Sequence, residues 1–325
     1  MKAKYILIPA LFLSLIGCTK LNEDVYDKIP GNLYPETADQ VANLSVDAYA
    51  KLQPFADDNG WWFLAQEISS DELCGPTRGS DWDDGGKWRE MYLHTWTNDN
   101  EGVNRMWDVM WKGITTCNQV LDLMDQLPQN PTLLKKKNEV KVLRSFYYYL
   151  LIDNYGDAPY LTTLVGVPDK PYKIRRAAIF DSLVATVKTA LPDLNEGDKK
   201  YMATKNMAHA LLTKLYLNEA VYKNHPASYT AHWDSALVYC DKVLAGPYAM
   251  ESNFLAPFVT NNETSREIIF SIPYDENTFT GFRIHMRTLH YQHNLKYDMP
   301  VGPWNGFAVV PTHFDTYETA DKRRT

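Results

Sequence analysis

EVKVLRSFYYYLLIDNYGDAPY, residues Glu139–Tyr160, decides the fold. Val140, Leu143, Phe146, Tyr147 and Leu150 recur at steps that place them on one face of an α-helix. The spacing predicts a helix over Leu133–Tyr155, and Gly156 ends it, because glycine takes the left-handed backbone that closes a helix. Toward the N-terminus the same period runs through Val103–Leu127, with Trp107, Trp111, Ile114 and Leu121 inward. Pro128 and Pro131 mark the turn between the two helices.

Further out the unit recurs. Arg175–Leu191 reads as a helix followed by a polar turn at Gly197. Ala203–Tyr222 and Tyr229–Leu244 then read as an antiparallel pair around His225-Pro226. Small residues at Ala203, Ala208 and Ala210 alternate with large ones at Leu211, Leu215 and Tyr216, in the manner of tetratricopeptide repeats. Before them, Pro35 and Glu36 open a helix over Thr37–Gln53 that turns Val41, Leu44, Val46, Ala48 and Leu52 inward and stops at Pro54. The fold class is therefore all-α, with tetratricopeptide-like helix-turn-helix repeats and long irregular loop excursions. Two stretches break the period: 55–100, rich in Asp, Gly and Trp, and 277–310, rich in aromatics, Gly and Pro. Loops of that length are where function concentrates. Between the repeats and the second stretch, EIIFSIPY (267–274) reads as a strand. The final HFDTYETADKRRT scarcely begins a helix, which reads as a truncated chain or a fragment.

Composition narrows the classes. With 325 residues, 45% hydrophobic and 22% charged, the chain can bury a large core. The formal charge of −7 becomes −9 if Met1–Gly17 is removed, because Lys2 and Lys4 leave with it. Nucleic acid is excluded as a partner by that balance. Cys74, Cys117 and Cys240 are odd in number and widely spaced, against a disulfide framework or a structural zinc site; Cys117 and Cys240 read as small apolar packing residues. Nine Trp and 21 Tyr supply many flat apolar faces with polar edges.

The N-terminus sets a location. Met1–Lys4 is basic and Tyr5–Ile16 is an apolar run too short to cross a bilayer, so residues 1–17 read as a signal peptide. Leu15-Ile16-Gly17-Cys18 resembles a bacterial lipobox, which makes Cys18 the acylated terminus. Acyl chains contribute about 0.8 kcal/mol per buried CH₂, enough together to hold a domain on a membrane. Residues 18–34 then form a lipidated tether and 35–325 the helical domain.

Several stretches carry a family resemblance: the lipobox, TADQVANLSVDAYAKLQ (37–53), SSDEL (69–73), WDVMWKGITTCNQVLDLM (107–124), the opening segment with its Arg, aromatic run, Tyr-Gly-Asp and Pro, AHALLTKLYLNEAVY (208–222) with WDSALVYCDKVL (233–244), and REIIFSIPY (266–274). On these the chain resembles the SusD/RagB family of outer-membrane lipoproteins from Bacteroidetes. The resemblance implies a non-catalytic, cell-surface protein that captures an oligosaccharide or polysaccharide. It also implies delivery to a SusC-like TonB-dependent transporter, with the lipid anchor holding the protein on the outer membrane and facing the exterior. Family members are longer, with a further C-terminal portion.

Candidate ligand residues follow from sugar chemistry. Sugar C–H faces stack on aromatic planes while hydroxyls need polar partners. Trp82, flanked by Asp81, Asp83, Asp84, Gly79 and Gly85, is hard to bury among charges. The family's stacking Trp follows a Ser/Thr-Asp-Glu segment, here Ser70-Asp71-Glu72, and that spacing leaves Trp82 and Trp88 as alternatives. Trp304, beside the Asn305-Gly306 turn, is the second platform residue, and Tyr291, Tyr297 and Arg287 complete the set. Trp61, Trp62, Trp96, Trp107 and Trp111 read as core. The aromatic loops equally suit a surface lid or adhesin that binds protein or peptide.

Chemistry finds less support. Glu67, Asp71, Glu72, Asp81, Asp83, Asp84, Asp99 and Glu101 are many carboxylates, yet nothing selects the separated pair a glycosidase needs. No cofactor is expected. DWDDGG (81–86) could hold a structural Ca²⁺ at most, lacking EF-hand spacing. His285, His290 and His293 do not share one face of a regular element, so they read as independent loop residues.

Overall fold

A computed structural model describes residues 38–56, 61–197, 199–226 and 232–324. The signal, Cys18 and the tether lie outside the described residues.

The scaffold is helical: α1 (Ala38–Ala50), α2 (Trp61–Ile68), α3 (Lys87–Tyr92), α4 (Glu101–Asp125), α5 (Pro131–Tyr155), α6 (Arg176–Ala190), α7 (Lys205–Leu217), α8 (Glu219–Tyr222) and α9 (Trp233–Leu244). Short helices α10 (Ile284–Thr288), α11 (His293–Tyr297) and α12 (Pro311–Phe314) follow. The central pair is α4 with α5, and its ends are written locally. The Asn100 side chain accepts from the N–H groups of Gly102 and Val103 to cap α4. Asn130 accepts from Leu133 N–H, with Pro131 at the first position of α5. At the other end Gly156 takes φ 74° and donates its N–H to Ile152.

The aromatic run of α5 joins the layers. Tyr147 and Tyr148 are fully buried, and each hydroxyl finds a carbonyl: Tyr147 donates to Ala48 in α1, and Tyr148 donates to Leu161. Tyr148 Oη also accepts from Leu161 N–H. The first bond straps α1 across the pair, and the second fixes the segment after Gly156. Arg144, buried among apolar neighbours, donates to Asn118 Oδ1 and Thr162 O, both at 2.7 Å. Gly113 in α4 lies flat against the Tyr147 ring, where any Cβ would overlap it. α6 packs on the far side of α5, and α7 pairs with α9.

Several expectations change. Val46 points to solvent, since it sits about 200° around the helix from both Leu44 and Ala48. The first irregular stretch contains α2 and α3, whose Trp61, Leu64, Ile68, Trp88 and Met91 enter the core. EIIFSIPY is not a strand: its alternation finds no neighbouring ladder, and Ser271 N–H bonds the Lys200 carbonyl instead. The sheet among the described residues pairs β1 (Leu73–Cys74) with β2 (Ala308–Val309), antiparallel, with Leu73 opposite Val309. Val310 N–H extends it to the Glu72 carbonyl at 2.9 Å. This short ladder zips the two irregular stretches together. No described helix is long and apolar enough to cross a membrane.

Candidate functional site

Downstream of β1, the chain from Pro76 to Gly86 makes a tight excursion. Arg78 and Asp81 exchange backbone hydrogen bonds at 3.0 and 3.1 Å, and Trp82 follows at φ 59°. A left-handed conformation at a bulky residue is costly, of order 1–3 kcal/mol, and persists only where surroundings over-determine it. Those surroundings come from the second irregular stretch. Residues 304–307 run along α10, with Trp304 N–H on Met286 O, Asn305 N–H on Leu289 O, and the N–H groups of Gly306 and Phe307 both on Arg287 O.

Onto this ledge Trp82 is locked. Its Nε1 donates to Trp304 O at 2.9 Å, and its six-membered ring lies on Gly306, where an added Cβ would come within 2.5 Å of it. The Arg78 guanidinium donates to Asn305 O at 2.6 Å and Gly306 O at 3.1 Å, tying the same two loops from the other side. Phe307, buried, sets its ring edge-on between Trp82 at 5.2 Å and Trp88 at 5.1 Å.

The predicted residues divide by depth. Trp82 and Trp304 come together, each partly exposed. Trp88 is 2% exposed: it stacks on Trp61, meets Phe307 and donates Nε1 to Asp84 at 2.7 Å, so its ring has no open face. Of the two tryptophans left open by spacing, only Trp82 presents surface. Arg287 is 8% exposed, placed beneath the indoles rather than at the open face. Tyr291 and Tyr297 are 55% and 52% exposed, and Gly302 packs against the Tyr291 carbonyl, which brings Tyr291 beside the Trp304 loop. Trp96 is not core: it lies in the turn between α3 and α4, 41% exposed, touching His94 edge-on.

Polar groups flank the face. Asp81 and Asp83 are exposed, and among the described residues their carboxylates have no hydrogen-bond or ion-pair partner, which leaves them open to hydroxyls. Lys87 stands between Glu101 at 3.0 Å and Asp84 at 4.0 Å. Glu67 is held above the usual carboxylate range by burial and then by the adjoining Glu72 carboxyl. No group of three or more His, Cys, Asp or Glu converges on a metal position among the described residues. His290 and His293 are not independent: His290 N–H reaches His293 Nδ1 at 3.3 Å.

Neither Arg78 nor Phe307 is marked in the sequence, because each acts on residues more than two hundred positions away. A cleft of about 370 Å³ lined by Cys74, Gly75, Pro76, Thr77, Arg89 and Tyr92 opens on the other side of this cluster, where Gly75 backs onto Phe307 and Trp88. A second cleft, about 350 Å³ between α1 and residues 271–279, shares no residue with the tryptophan face.

Known proteins resemble the chain in sequence and in fold. SusD-like protein P2 of Formosa agariphila is 25% identical over 236 residues, 69% of this chain and 44% of its own length. Starch-binding protein SusD of Bacteroides thetaiotaomicron is 22% identical over 219 residues, 66% of this chain and 37% of its own. The chain thus spans less than half the length of either. Surface glycan-binding protein A of Bacteroides thetaiotaomicron, solved with laminarihexaose, superposes with a TM-score of 0.72 at 19% identity, over 88% of this chain and 62% of that one. A SusD superfamily protein of Parabacteroides distasonis superposes with a TM-score of 0.74 at 16% identity, over 92% and 62%. Residues 47–217, more than half of the chain, match the SusD-like family described as starch-binding and associating with the outer membrane, and the chain belongs to that family.

Proposed function

We propose that the protein is a cell-surface glycan-binding lipoprotein that captures oligosaccharides and passes them to a SusC-type TonB-dependent transporter, without chemistry of its own. The observation that carries this reading is the convergence of Trp82 and Trp304 from opposite ends of the chain onto one partly exposed face. Two indoles offer apolar planes for sugar rings; Asp81 and Asp83 offer acceptors for hydroxyls; Tyr291, beside the Trp304 loop, adds an exposed ring, and Tyr297 is exposed on α11. Family membership supports glycan binding in general. The acylated Cys18, the outer-membrane position facing the exterior and the transporter partner rest on the N-terminal motif and the family.

Calorimetric titration of the purified protein against chemically distinct oligosaccharides tests the reading. Saturable binding to one class, lost in Trp82→Ala and Trp304→Ala, is expected. A folded protein that binds none of them would instead make the aromatic face an interface for protein or peptide.

A further inference from the structure

We propose that Arg287 is a positioning residue: its guanidinium, clamped against both indoles, makes Trp82 and Trp304 move and bind as one platform. The inference rests on the reading of that pair as the glycan face, and adds what holds it together.

The guanidinium carbon lies 5.6 Å from the centroid of the Trp82 ring and 5.3 Å from that of Trp304. Both distances fall within the range where a cation is attracted by an indole face. With 8% of its surface exposed, the side chain is too deep to serve as an open ligand contact. Its main chain works at the same junction: Arg287 O accepts from Gly306 N–H at 2.9 Å and Phe307 N–H at 2.8 Å, which places the ledge on which Trp82 rests.

Arginine suits this position for a physical reason. A planar, weakly hydrated guanidinium can lie against two aromatic rings at once, whereas a lysine ammonium is a compact point charge that keeps its water. The Trp82–Trp304 hydrogen bond alone fixes one edge of one ring to a backbone carbonyl and leaves the Trp304 indole free to turn. A shared cation removes that freedom. It also closes the indole surface it covers, so a sugar is confined to what each ring leaves exposed. Pre-ordering the rings before the ligand arrives reduces the entropy lost on binding.

The test uses the full chain labelled with 5-fluorotryptophan, with the Trp82 and Trp304 fluorine resonances assigned from Trp→Phe variants. In Arg287→Met both resonances should shift or split together, while those of Trp107 and Trp111 stay in place. With laminarihexaose as the first probe, and the other oligosaccharides of the titration after it, affinity should fall about tenfold. The penalty for Trp82→Phe should then shrink in the Arg287→Met background. Arg287→Lys keeps the charge and most of the stem, and is read the same way if the methionine variant does not fold. Unmoved Trp82 and Trp304 resonances, or a displacement shared equally by Trp107 and Trp111, would overturn the proposal. A labelled protein in which the two resonances respond but no sugar binds would retain the clamp and reject the glycan reading.

Discussion

Trp82 Nε1 donates a hydrogen bond to the backbone carbonyl of Trp304 across 2.9 Å, joining side chain to main chain over 222 positions of sequence. Trp82→Phe keeps an aromatic plane and removes the donor. One such bond contributes about 0.5–1.5 kcal/mol to the folded state, so the melting temperature should fall by about one to four degrees, and saccharide affinity should fall because the loosened ring must be ordered on binding. Trp82→Ala, which removes the plane as well, should bring binding below detection. Equal affinities in all three proteins would remove Trp82 from the site.

Two glycines separate binding from folding. A Cβ at Gly306 would press on the Trp82 ring, in a loop held outside the helical core. Gly306→Ala should therefore weaken ligand binding and leave helicity by circular dichroism intact. A Cβ at Gly113 would overlap the Tyr147 ring between α4 and α5. Gly113→Ala should destabilise the whole fold by about 1–3 kcal/mol, the usual cost of overpacking, as read by denaturant titration.

Arg144 is the charged member of the aromatic motif, and it holds α4 to the segment after α5 through Asn118 and Thr162. Arg144→Met keeps the stem and leaves both acceptors without their donor. Hydrogen bonds to charged groups contribute about 1.5–3 kcal/mol each, so the loss should exceed that of Trp82→Phe and lower the melting temperature by several degrees. An unchanged melting temperature would mean that water replaces the guanidinium.

Glu67 carries a pH signature. Burial, then the Glu72 carboxyl, raises its pKa, while His313 partly opposes them. The folded state therefore holds the Glu67 proton more tightly than the unfolded chain does. Its contribution falls as pH rises from the ordinary carboxylate value through the raised one. Glu67→Gln should stabilise the protein at pH 7, with the advantage fading below about pH 4. Parallel stability–pH curves for the two proteins would exclude this role.

Cys18 outside the described residues makes a cellular prediction. Cys18→Ser should shift the protein from the membrane fraction to the soluble fraction on fractionation. Continued membrane retention would rule out the acyl anchor.

The sequence by itself determined the helical scaffold. Apolar residues three and four positions apart share a face, and Asn100, Asn130 and Gly156 sit at the ends they cap, so α4 and α5 are written in local spacing. It also marked the two irregular stretches, 55–100 and 277–310, by their loss of helical period and their aromatic content. Only the tertiary structure decided which of those rings have an open face. Trp82 and Trp88 stand in similar surroundings along the chain, yet Phe307 and Trp61 enclose Trp88 and leave Trp82 partly exposed. Arg287 looks like a loop cation until α10 buries it under two indoles. The strand signal of EIIFSIPY fails because a strand needs a partner, and the ladder that does form joins Leu73 to Val309 across the whole domain. These outcomes depend on tertiary contacts, among them Trp88 with Phe307, Arg287 with Trp82 and Leu73 with Val309 more than two hundred positions apart, and no local spacing records which side chain meets which.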